Sequence, residues 1–318
     1  MERIKVSIIV PIYNAEQYIK KCAKCLLEQT LNDIEILFID DCTPDGSVNV
    51  IERLLELYPN REKQVKIIHN DNNQGPLLSR INGILQAKGE YVTFVDSDDW
   101  VDTIAFENLY EEAIQKNAEC LIYGYQRHLT NKVELCERVY PEKNGQEFLS
   151  NIYKHPFEFF MCVVLLKNNV SLKLLTEKYY NMPVLKNIRM WEDVAFMFPY
   201  YYQNNNICYS KKSYYHYNKT NETSAVNTFN LKKTYDALKV VDYLKNNFRD
   251  ESLFLTLESM TLGAKNPLLN LKGVQAWRDE HPDCNKYIMR FTCIPFKVRL
   301  YYYLLSHGFG FLHFITNH

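Results

Sequence analysis

The chain has 318 residues, of which 47% are hydrophobic and 24% are charged, and its formal net charge is -1. It is long enough to bury one large core or two smaller ones, and it lacks the basic field with which proteins hold nucleic acid. The first residues do not follow the pattern of a signal peptide, no uncharged apolar run is long enough to span a bilayer, and the nine cysteines have no framework spacing. We therefore expect a cytoplasmic globular protein with free thiols and no nucleic-acid partner.

The first hundred residues alternate between predicted strands and predicted helices. Continuous apolar runs predict buried strands at 5–13 and 34–41, and two further strands are predicted at 65–70 and 90–96. The segments between these runs have apolar residues at helical spacing. This alternation predicts a doubly wound α/β sheet, in which ligands bind beyond the carboxyl ends of the strands.

Three carboxylates follow the fourth predicted strand within four positions, in the sequence DSDDW. Asp96, Asp98 and Asp99 would raise one another's pKa unless a cation lies among them. The same residues could cap the following helix, but one cap needs only one carboxylate. The cluster therefore predicts a site for Mg²⁺ or Mn²⁺, hard ions that prefer oxygen ligands. Asp98 is the expected ligand.

The polar clusters at the strand ends stand in an order that resembles a known family. The stretches VSIIVPIYNAEQYI, ILFIDDCTPDGS and NNQGPLLSRINGILQAKGEYVTFVDSDDW are similar to the nucleotide-sugar-binding half of glycosyltransferase family 2, which contains inverting enzymes with the GT-A fold. The resemblance covers about residues 4–225 and departs from the usual wording at Cys42 and Pro44. It implies a Rossmann-like doubly wound sheet of GT-A type, followed by a helical C-terminal region.

The resemblance also implies a UDP-sugar donor and a set of residues around it. Asp41 is expected to accept the uracil N3 proton, Tyr13 to stack near the base, and Asp96 to face the ribose. Asp98 or Asp99 would meet Mn²⁺ or Mg²⁺, which bridges the carboxylate to the diphosphate. The remaining implied nucleotide-sugar contacts are Pro11, Arg80, Ser97 and Lys219.

The same donor residues could also have purely structural roles. Packing alone would account for Tyr13 in a chain with 24 tyrosines, and an Asx-turn would account for Asp41. Arg80 could pair with Asp40 or Asp41. Gly75 is expected to allow a turn or a close backbone approach.

The sequence NIRMWEDVAFMF resembles the acidic motif that begins a helix on the acceptor side of this family. Inverting sugar transfer needs a base that deprotonates the acceptor hydroxyl. Asp193 is the expected base, and Glu192 is the alternative. Two acids in a first helical turn would also complement the helix dipole without any catalytic role.

The stretch YSKKSYYHYNKTNETSAVN resembles a segment that closes over the diphosphate in relatives. His216, Lys219 and Ser224 occupy comparable positions. His216 could complete the metal shell or donate a hydrogen bond to phosphate. A structural histidine among tyrosines is the alternative.

The last ninety residues read as helices. They end in a tail with Lys297, Arg299, aromatic residues and leucines, and with no acid. This composition predicts either peripheral membrane contact through 290–318 at the inner face of the cell membrane or a C-terminal helix docked on the catalytic domain. We expect a catalytic domain at 1–225, with a donor half at 1–100 and an acceptor half at 101–225, and a helical region at 226–318.

The expected function is an inverting, metal-dependent transferase of hexosyl or N-acetylhexosaminyl groups. It would move the sugar from a UDP-sugar to a glycan or lipid-linked acceptor in surface polysaccharide synthesis. One alternative is a nucleotide-sugar-binding protein without catalysis. Another is a nucleotidyltransferase, which would need a glycine-rich phosphate loop near the first strand, where PIYNAEQYI has no glycine.

Overall fold

The structure is a computed structural model that describes residues 3–154, 159–182, 188–221 and 230–316. Its strands are β1 Val6–Ile12, β2 Ile34–Asp40, β3 Val65–His69, β4 Tyr91–Phe94, β5 Trp100–Val101, β6 Cys120–Ile122, β7 Tyr125–Leu129, β8 Lys132–Cys136, β9 Val164–Lys167, β10 Ile207–Tyr209 and β11 Tyr215–Asn218. Its α-helices are α1 Ile19–Leu27, α2 Ser47–Leu55, α3 Pro76–Gln86, α4 Ala105–Gln115, α5 Gly145–Asn151, α6 Val170–Tyr180, α7 Glu192–Gln203, α8 Leu231–Asn247, α9 Phe254–Lys265, α10 Leu268–Asp279, α11 Phe296–Ser306 and α12 Phe311–Thr316.

The larger sheet has seven strands in the order β10-β6-β9-β4-β1-β2-β3. β1 lies parallel to β2 and β4, and β2 lies parallel to β3. The four strands predicted from the sequence are therefore adjacent and parallel, which confirms the α/β class. Every residue of β1 from Val6 to Val10 is 0% exposed. Burial on both faces explains why β1 and β2 have continuous apolar sequences, whereas the edge strand β3 is only partly buried.

A smaller sheet has four strands in the order β5-β11-β7-β8. β11 is antiparallel to β5 and parallel to β7. The first strand, β5, begins at Trp100, directly after the predicted carboxylate cluster. The second sheet therefore lies beside the carboxyl end of β4 and brings β11 to it.

The chain forms two compact units that are interleaved along the sequence. The first, which contains both sheets, consists of Met1–Gly145, Phe160–Asn187 and Gln203–Ser224. The second, which is helical, consists of Gln146–Phe159, Ile188–Tyr202 and Ala225–His318. Two segments of the second unit thus precede residue 225, and the predicted division into domains at that residue stays a prediction.

The second unit has its own hydrophobic core. Its buried members include Leu262, Trp277, Ile288, Phe291 and Leu305, each 0% exposed. Leu305 lies on α11, so one face of this C-terminal helix is docked in the core of the helical unit. Among the described helices, none is long and apolar enough to cross a lipid bilayer.

Candidate functional site

The carboxylate loop, defined here as Asp96, Ser97, Asp98 and Asp99, follows β4. The backbone N–H of Asp99 donates to the C=O of Asp96 at 3.0 Å and closes the turn. Asp96, Ser97 and Asp98 are half-buried, whereas Asp99 is 1% exposed. Burial and then the neighbouring carboxylates raise the pKa of Asp98, and they raise the pKa of Asp99 well above its usual value. The loop thus concentrates negative charge that a cation would stabilise.

Strand β11 holds the buried end of this loop. Oη of Tyr215 donates to Oδ2 of Asp99 at 2.5 Å, and the N–H of Asn218 donates to Oδ1 at 2.7 Å. Oη of Tyr215 also accepts a hydrogen bond from the N–H of Asp96 at 3.2 Å. Both oxygens of Asp99 are therefore engaged by β11. Of the two predicted metal ligands, this geometry favours Asp98.

An amide side chain orients Asp98. Nδ2 of Asn221 donates to Oδ2 of Asp98 at 2.7 Å, and Oδ1 of Asn221 accepts from Oη of Tyr18 at 3.2 Å. Because the Tyr18 hydroxyl donates to the amide oxygen, it fixes which end of Asn221 faces the carboxylate. Asp98 is thereby positioned without being neutralised by a cationic side chain in these contacts.

Arg80 pairs with the first member of the loop. Its Nη2 lies 2.5 Å from Oδ1 of Asp96, and Arg80 is 5% exposed on α3. This ion pair is with Asp96 and not with Asp40 or Asp41, the alternative partners predicted from the sequence. The physical reason is that α3 connects β3 to β4, and its buried face carries Arg80 to the loop at the carboxyl end of β4.

Asp41 fixes the loop that leads into α3. Its Oδ1 accepts from the N–H of Gln74 and from Nδ2 of Asn70, and its Oδ2 accepts from the N–H of Gly75, each at 2.8 Å. Gly75 has φ of 90°, the left-handed region that glycine favours, so the predicted turn is confirmed. Asp41 is 3% exposed, and these three bonds give it a structural role whether or not it also accepts from a base.

The unusual Cys42 has a left-handed backbone conformation. Its φ is 55°, and its Sγ donates to the C=O of Asn70 at 3.1 Å. The neighbouring Asp40 accepts from the N–H of Thr43 at 2.8 Å, so the acid closes the turn. The departure from the family wording is therefore accommodated by a conformation in which glycine is usual.

The end of β1 carries the two remaining predicted contacts of the donor half. Pro11 pairs in register with Ile39 of β2, inside the sheet. Tyr13 follows the strand and is 53% exposed, so its ring is not part of the core. Packing therefore does not account for Tyr13, and its contact with a base stays a prediction.

His216 faces away from the carboxylate loop. Its Nε2 lies 2.9 Å from Oδ1 of Asp102, its Nδ1 lies 2.9 Å from Nε2 of His128, and its ring stacks on Trp100 at 5.2 Å between centroids. Neighbouring residues on a strand point to opposite faces, so Tyr215 meets Asp99 and His216 does not. These contacts support the structural alternative for His216 over the predicted metal ligand.

Lys219 follows β11 directly. Its N–H donates to the C=O of His128 at 2.9 Å, and its Nζ lies 5.8 Å from the centre of the Tyr217 ring. Burial raises the pKa of Tyr217, with a further contribution from Asp99. Lys219 therefore stands at the end of the strand that holds the loop. Ser224 lies outside the described residues.

Within the carboxylate loop, Asp98 is the side chain that best fits a metal ion. In the part of the chain that the structure describes, no three His, Cys, Asp or Glu side chains are grouped so that they could enclose an ion. Asp98 offers carboxylate oxygens, which Mn²⁺ and Mg²⁺ prefer as ligands. Burial and the neighbouring Asp96 oppose the ionisation of Asp98, and a bound cation would favour it. The residues fit a cation that takes most of its ligands from the substrate and from water.

The two acids predicted on the acceptor side belong to the second unit. Glu192 and Asp193 are half-buried and begin α7, as predicted. Trp191, directly before them, has φ of 64°, and the N–H of Arg189 donates to Oδ2 of the buried Asp236 at 3.2 Å. The chain that enters α7 is thus tied to α8, which fixes where the helix begins.

Sequence reasoning missed the residues that hold the carboxylate loop. These are Tyr215, Asn221 and Tyr18. The period of two in YYHYN was the available signal, because it places Tyr215 and Tyr217 on one face of a strand and His216 on the other. No comparable signal exists for Tyr18 and Asn221, which lie 203 positions apart.

Comparison with known proteins gives one family. The model of glycosyl transferase family 2 matches residues 7–169. Glycosyltransferase GlyG of Streptococcus pneumoniae is 28% identical over 244 residues, which are 74% of this chain and 77% of that protein. The uncharacterized glycosyltransferase EpsJ of Bacillus subtilis is 40% identical over 127 residues, which are 40% of this chain and 36% of that protein.

Solved structures share the fold. The crystal structure of residues 1–349 of TarS from S. aureus, in complex with UDP-GlcNAc, has a TM-score of 0.68 at 19% identity and covers 95% of this chain and 87% of that one. The mannosyltransferase PcManGT from Pyrobaculum calidifontis, in complex with GDP-Man and Mn²⁺, has a TM-score of 0.53 at 14% identity. The match covers 99% of this chain and 87% of that one. With its GT-A fold and a family match over half of its length, the chain belongs to glycosyl transferase family 2.

Proposed function

We propose that this glycosyltransferase moves a sugar, with inversion, from a UDP-sugar to a glycan or lipid-linked acceptor in surface polysaccharide synthesis. The observation that carries the proposal is Asp98, an oriented carboxylate with a raised pKa at the carboxyl edge of the sheet. It lies inside the region that matches the family. The fold neighbour TarS has been crystallised with UDP-GlcNAc and with UDP, which supports a uridine nucleotide as the donor.

The donor half is proposed to be residues 1–100. Tyr13 offers an exposed ring for the base, and Asp41 keeps the loop before α3 in place. Arg80 neutralises Asp96 in part, so that the ribose meets a carboxylate that is already fixed. Pro11, Ser97 and Lys219 complete the proposed set around the nucleotide-sugar.

Asp98 would hold Mn²⁺ or Mg²⁺ in this proposal. The bound ion would supply positive charge to the departing diphosphate. The chain's own contribution is orientation, because Asn221 and Tyr18 keep the Asp98 carboxylate in one position. Tyr215 contributes by holding Asp99 and the backbone of Asp96 in the same turn.

The acceptor chemistry is assigned to Asp193, with Glu192 as the alternative. The Asp193 carboxylate would take the proton of the acceptor hydroxyl while that oxygen bonds to the anomeric carbon. The bond from this carbon to the diphosphate breaks at the same time, and its electron pair leaves with the nucleoside diphosphate. Attack from the opposite face inverts the anomeric centre.

Replacing Asp98 by Asn tests the donor site. UDP affinity of the parent should rise when Mn²⁺ is added, and Asp98→Asn should lose about tenfold or more of that affinity in Mn²⁺ while changing little in EDTA. Titration calorimetry in both buffers measures the difference. Asp102→Asn is the matched control, because Asp102 lies four positions later and contacts His216 instead.

Two results would decide against parts of the proposal. Equal affinity of Asp98→Asn and its parent in Mn²⁺ would remove Asp98 as the ligand. UDP-sugar binding by the parent without transfer or hydrolysis of the donor would favour a binding protein that lacks catalysis.

A further inference from the structure

Helix α11 has two apolar faces. The inner face carries Tyr301, Tyr302 and Leu305, which pack in the core of the second unit. Leu305 is 0% exposed, and the ring centroid of Tyr302 lies 5.9 Å from that of Trp277. This face is sufficient to dock the helix, so folding of the second unit does not explain any apolar residue on the opposite side.

The outer face, defined here as Phe296, Leu300, Tyr303, Phe309 and Phe311, is open to solvent. These side chains are 58%, 40%, 38%, 46% and 57% exposed, in that order. Positions 296, 300 and 303 fall on one stripe of a helix with 3.6 residues per turn. Phe309 and Phe311 follow in the chain between the end of α11 and the start of α12, and their rings contact each other with centroids 6.2 Å apart.

Basic residues border the outer face. Lys297 is exposed on one side of the stripe, and Arg299 lies on the other side, where its Nη1 donates to the C=O of Met289 at 2.6 Å. Arg290, in the turn of helix before α11, is exposed as well. Residues 284–318 contain four Lys or Arg and no Asp or Glu, a formal charge of +4 in a chain whose total is -1. This part of the chain therefore combines exposed apolar side chains with an excess of positive charge.

We propose that the outer face binds the surface of an anionic lipid bilayer. Phe296, Leu300 and Phe311 would enter the boundary between headgroups and acyl chains, and Lys297 and Arg290 would meet the anionic headgroups. A second copy of this chain is the poorer partner. A symmetric pair that used the same face would bring the basic residues of the two copies together, and residues 284–318 contain no acid to pair with them.

Vesicle co-sedimentation of the full chain tests the proposal. The parent should sediment with vesicles of phosphatidylcholine that contain phosphatidylglycerol, far less with phosphatidylcholine alone, and its binding to the anionic vesicles should weaken as salt is raised. Leu300→Glu should lower the partition coefficient about tenfold or more, because it removes one apolar contact and adds a like charge. Leu174→Glu is the matched control, since Leu174 is 61% exposed on α6 in the first unit.

A second variant covers the case in which Leu300→Glu does not fold. Replacing Arg290 and Lys297 together by Gln changes only exposed side chains, and it should weaken binding to the anionic vesicles alone. Unchanged binding by a folded Leu300→Glu or by the double variant would overturn the proposal. The proposal would also be overturned if the parent did not bind vesicles but formed a dimer in sedimentation velocity, and if Leu300→Glu were monomeric. In that case the outer face would bind a second copy of the chain.

Discussion

Tyr215 joins two members of the carboxylate loop through one hydroxyl group. It donates to Asp99 at 2.5 Å and accepts from the backbone of Asp96 at 3.2 Å. Burial raises the pKa of Tyr215, and the adjacent Asp99 raises it further, so the hydroxyl keeps its proton at neutral pH. The loop is therefore held by a neutral donor that leaves the charge of the carboxylates available to a cation.

Tyr215→Phe should weaken both the fold and the donor site. The variant leaves a buried carboxylate oxygen without one of its donors, which costs about 1–3 kcal/mol in the free energy of unfolding. UDP affinity in Mn²⁺ should fall as the loop loses its position. Urea unfolding and calorimetry measure the two effects. Tyr217→Phe is the control, because its ring contacts with Tyr125 and Phe160 survive the loss of the hydroxyl; equal behaviour of the two variants would contradict the role given to Tyr215.

Asp193→Asn should separate catalysis from binding. The variant keeps the size of the side chain and removes its basicity, so transfer should fall by about 10²- to 10⁴-fold while UDP-sugar affinity changes little. Both quantities are measured on one preparation. Near-parental transfer would exclude Asp193 as the base, and Glu192→Gln would then show whether its neighbour fills that role.

The chemistry of the loop could be predicted from the sequence, but its support could not. The negative charge of the loop is evident from the sequence DSDD, because three of its four residues are acids. The bonds to Tyr215 and Asn221 join residues 116 and 123 positions away, and such pairs exist only once the chain has folded. His216 is predicted as a metal ligand because imidazole is a common ligand, but the two-residue period of the strand turns its ring towards Asp102.

Helix α3 packs directly against β1 through a glycine. A Cβ atom on Gly83 would lie 2.5 Å from Cγ2 of Ile9, a residue that is 0% exposed. In α9, a Cβ atom on Gly263 would lie 3.6 Å from the Trp191 ring, an ordinary contact distance. The close approach of α3 to β1 therefore requires a glycine at position 83, whereas the space around position 263 would admit a methyl group.

Alanine at these two positions should have opposite effects on stability. Gly83→Ala should lower the free energy of unfolding by about 1–3 kcal/mol, because the helix must move away from the sheet. Gly263→Ala should raise it by about 0.5–1 kcal/mol, because alanine is the better helix former. Chemical denaturation of both variants measures the signs. A stabilising Gly83→Ala would show that the spacing between α3 and β1 is not set by this contact.

The larger elements were predicted better than the smaller ones. The strands β1 to β4 are adjacent and parallel, and their apolar runs are long enough for periodicity and length to identify them. β5 has two residues and β6 and β10 have three each, too few for any period to be recognised. α1 begins at Ile19, and Asn14, two residues after β1, has φ of 54°, which is outside the α-helical region.

The two units of the molecule share one chain in alternation. Helix α7 lies before residue 225, yet Phe198 on this helix packs against Phe248 on the following part of the second unit, with ring centroids 5.3 Å apart. The predicted boundary at 225 follows the extent of the family resemblance, and contacts across long sequence separations leave no mark in the sequence that would move it. Ending the chain at that residue would separate α7 from its partners in the second unit.

A fragment of residues 1–225 should therefore fail to behave as a compact domain. Phe196 and Phe198, each 0% exposed in the full chain, would lose contacts and meet water. The fragment should bind the dye ANS and elute as an aggregate in size-exclusion chromatography, while the full chain should not. A monomeric fragment with a cooperative thermal transition would support the predicted division at residue 225.

β9 lies between β4 and β6 in the larger sheet but is synthesised after both of them. The ribosome delivers β4 by residue 94 and β6 by residue 122, but both pair with β9, which ends at Lys167. Until that point the nascent chain exposes the edge of a fully buried strand, with Tyr91, Val92 and Phe94 on it. During the synthesis of the residues between β4 and β9, a chaperone that covers this edge would protect the growing polypeptide from pairing with another chain.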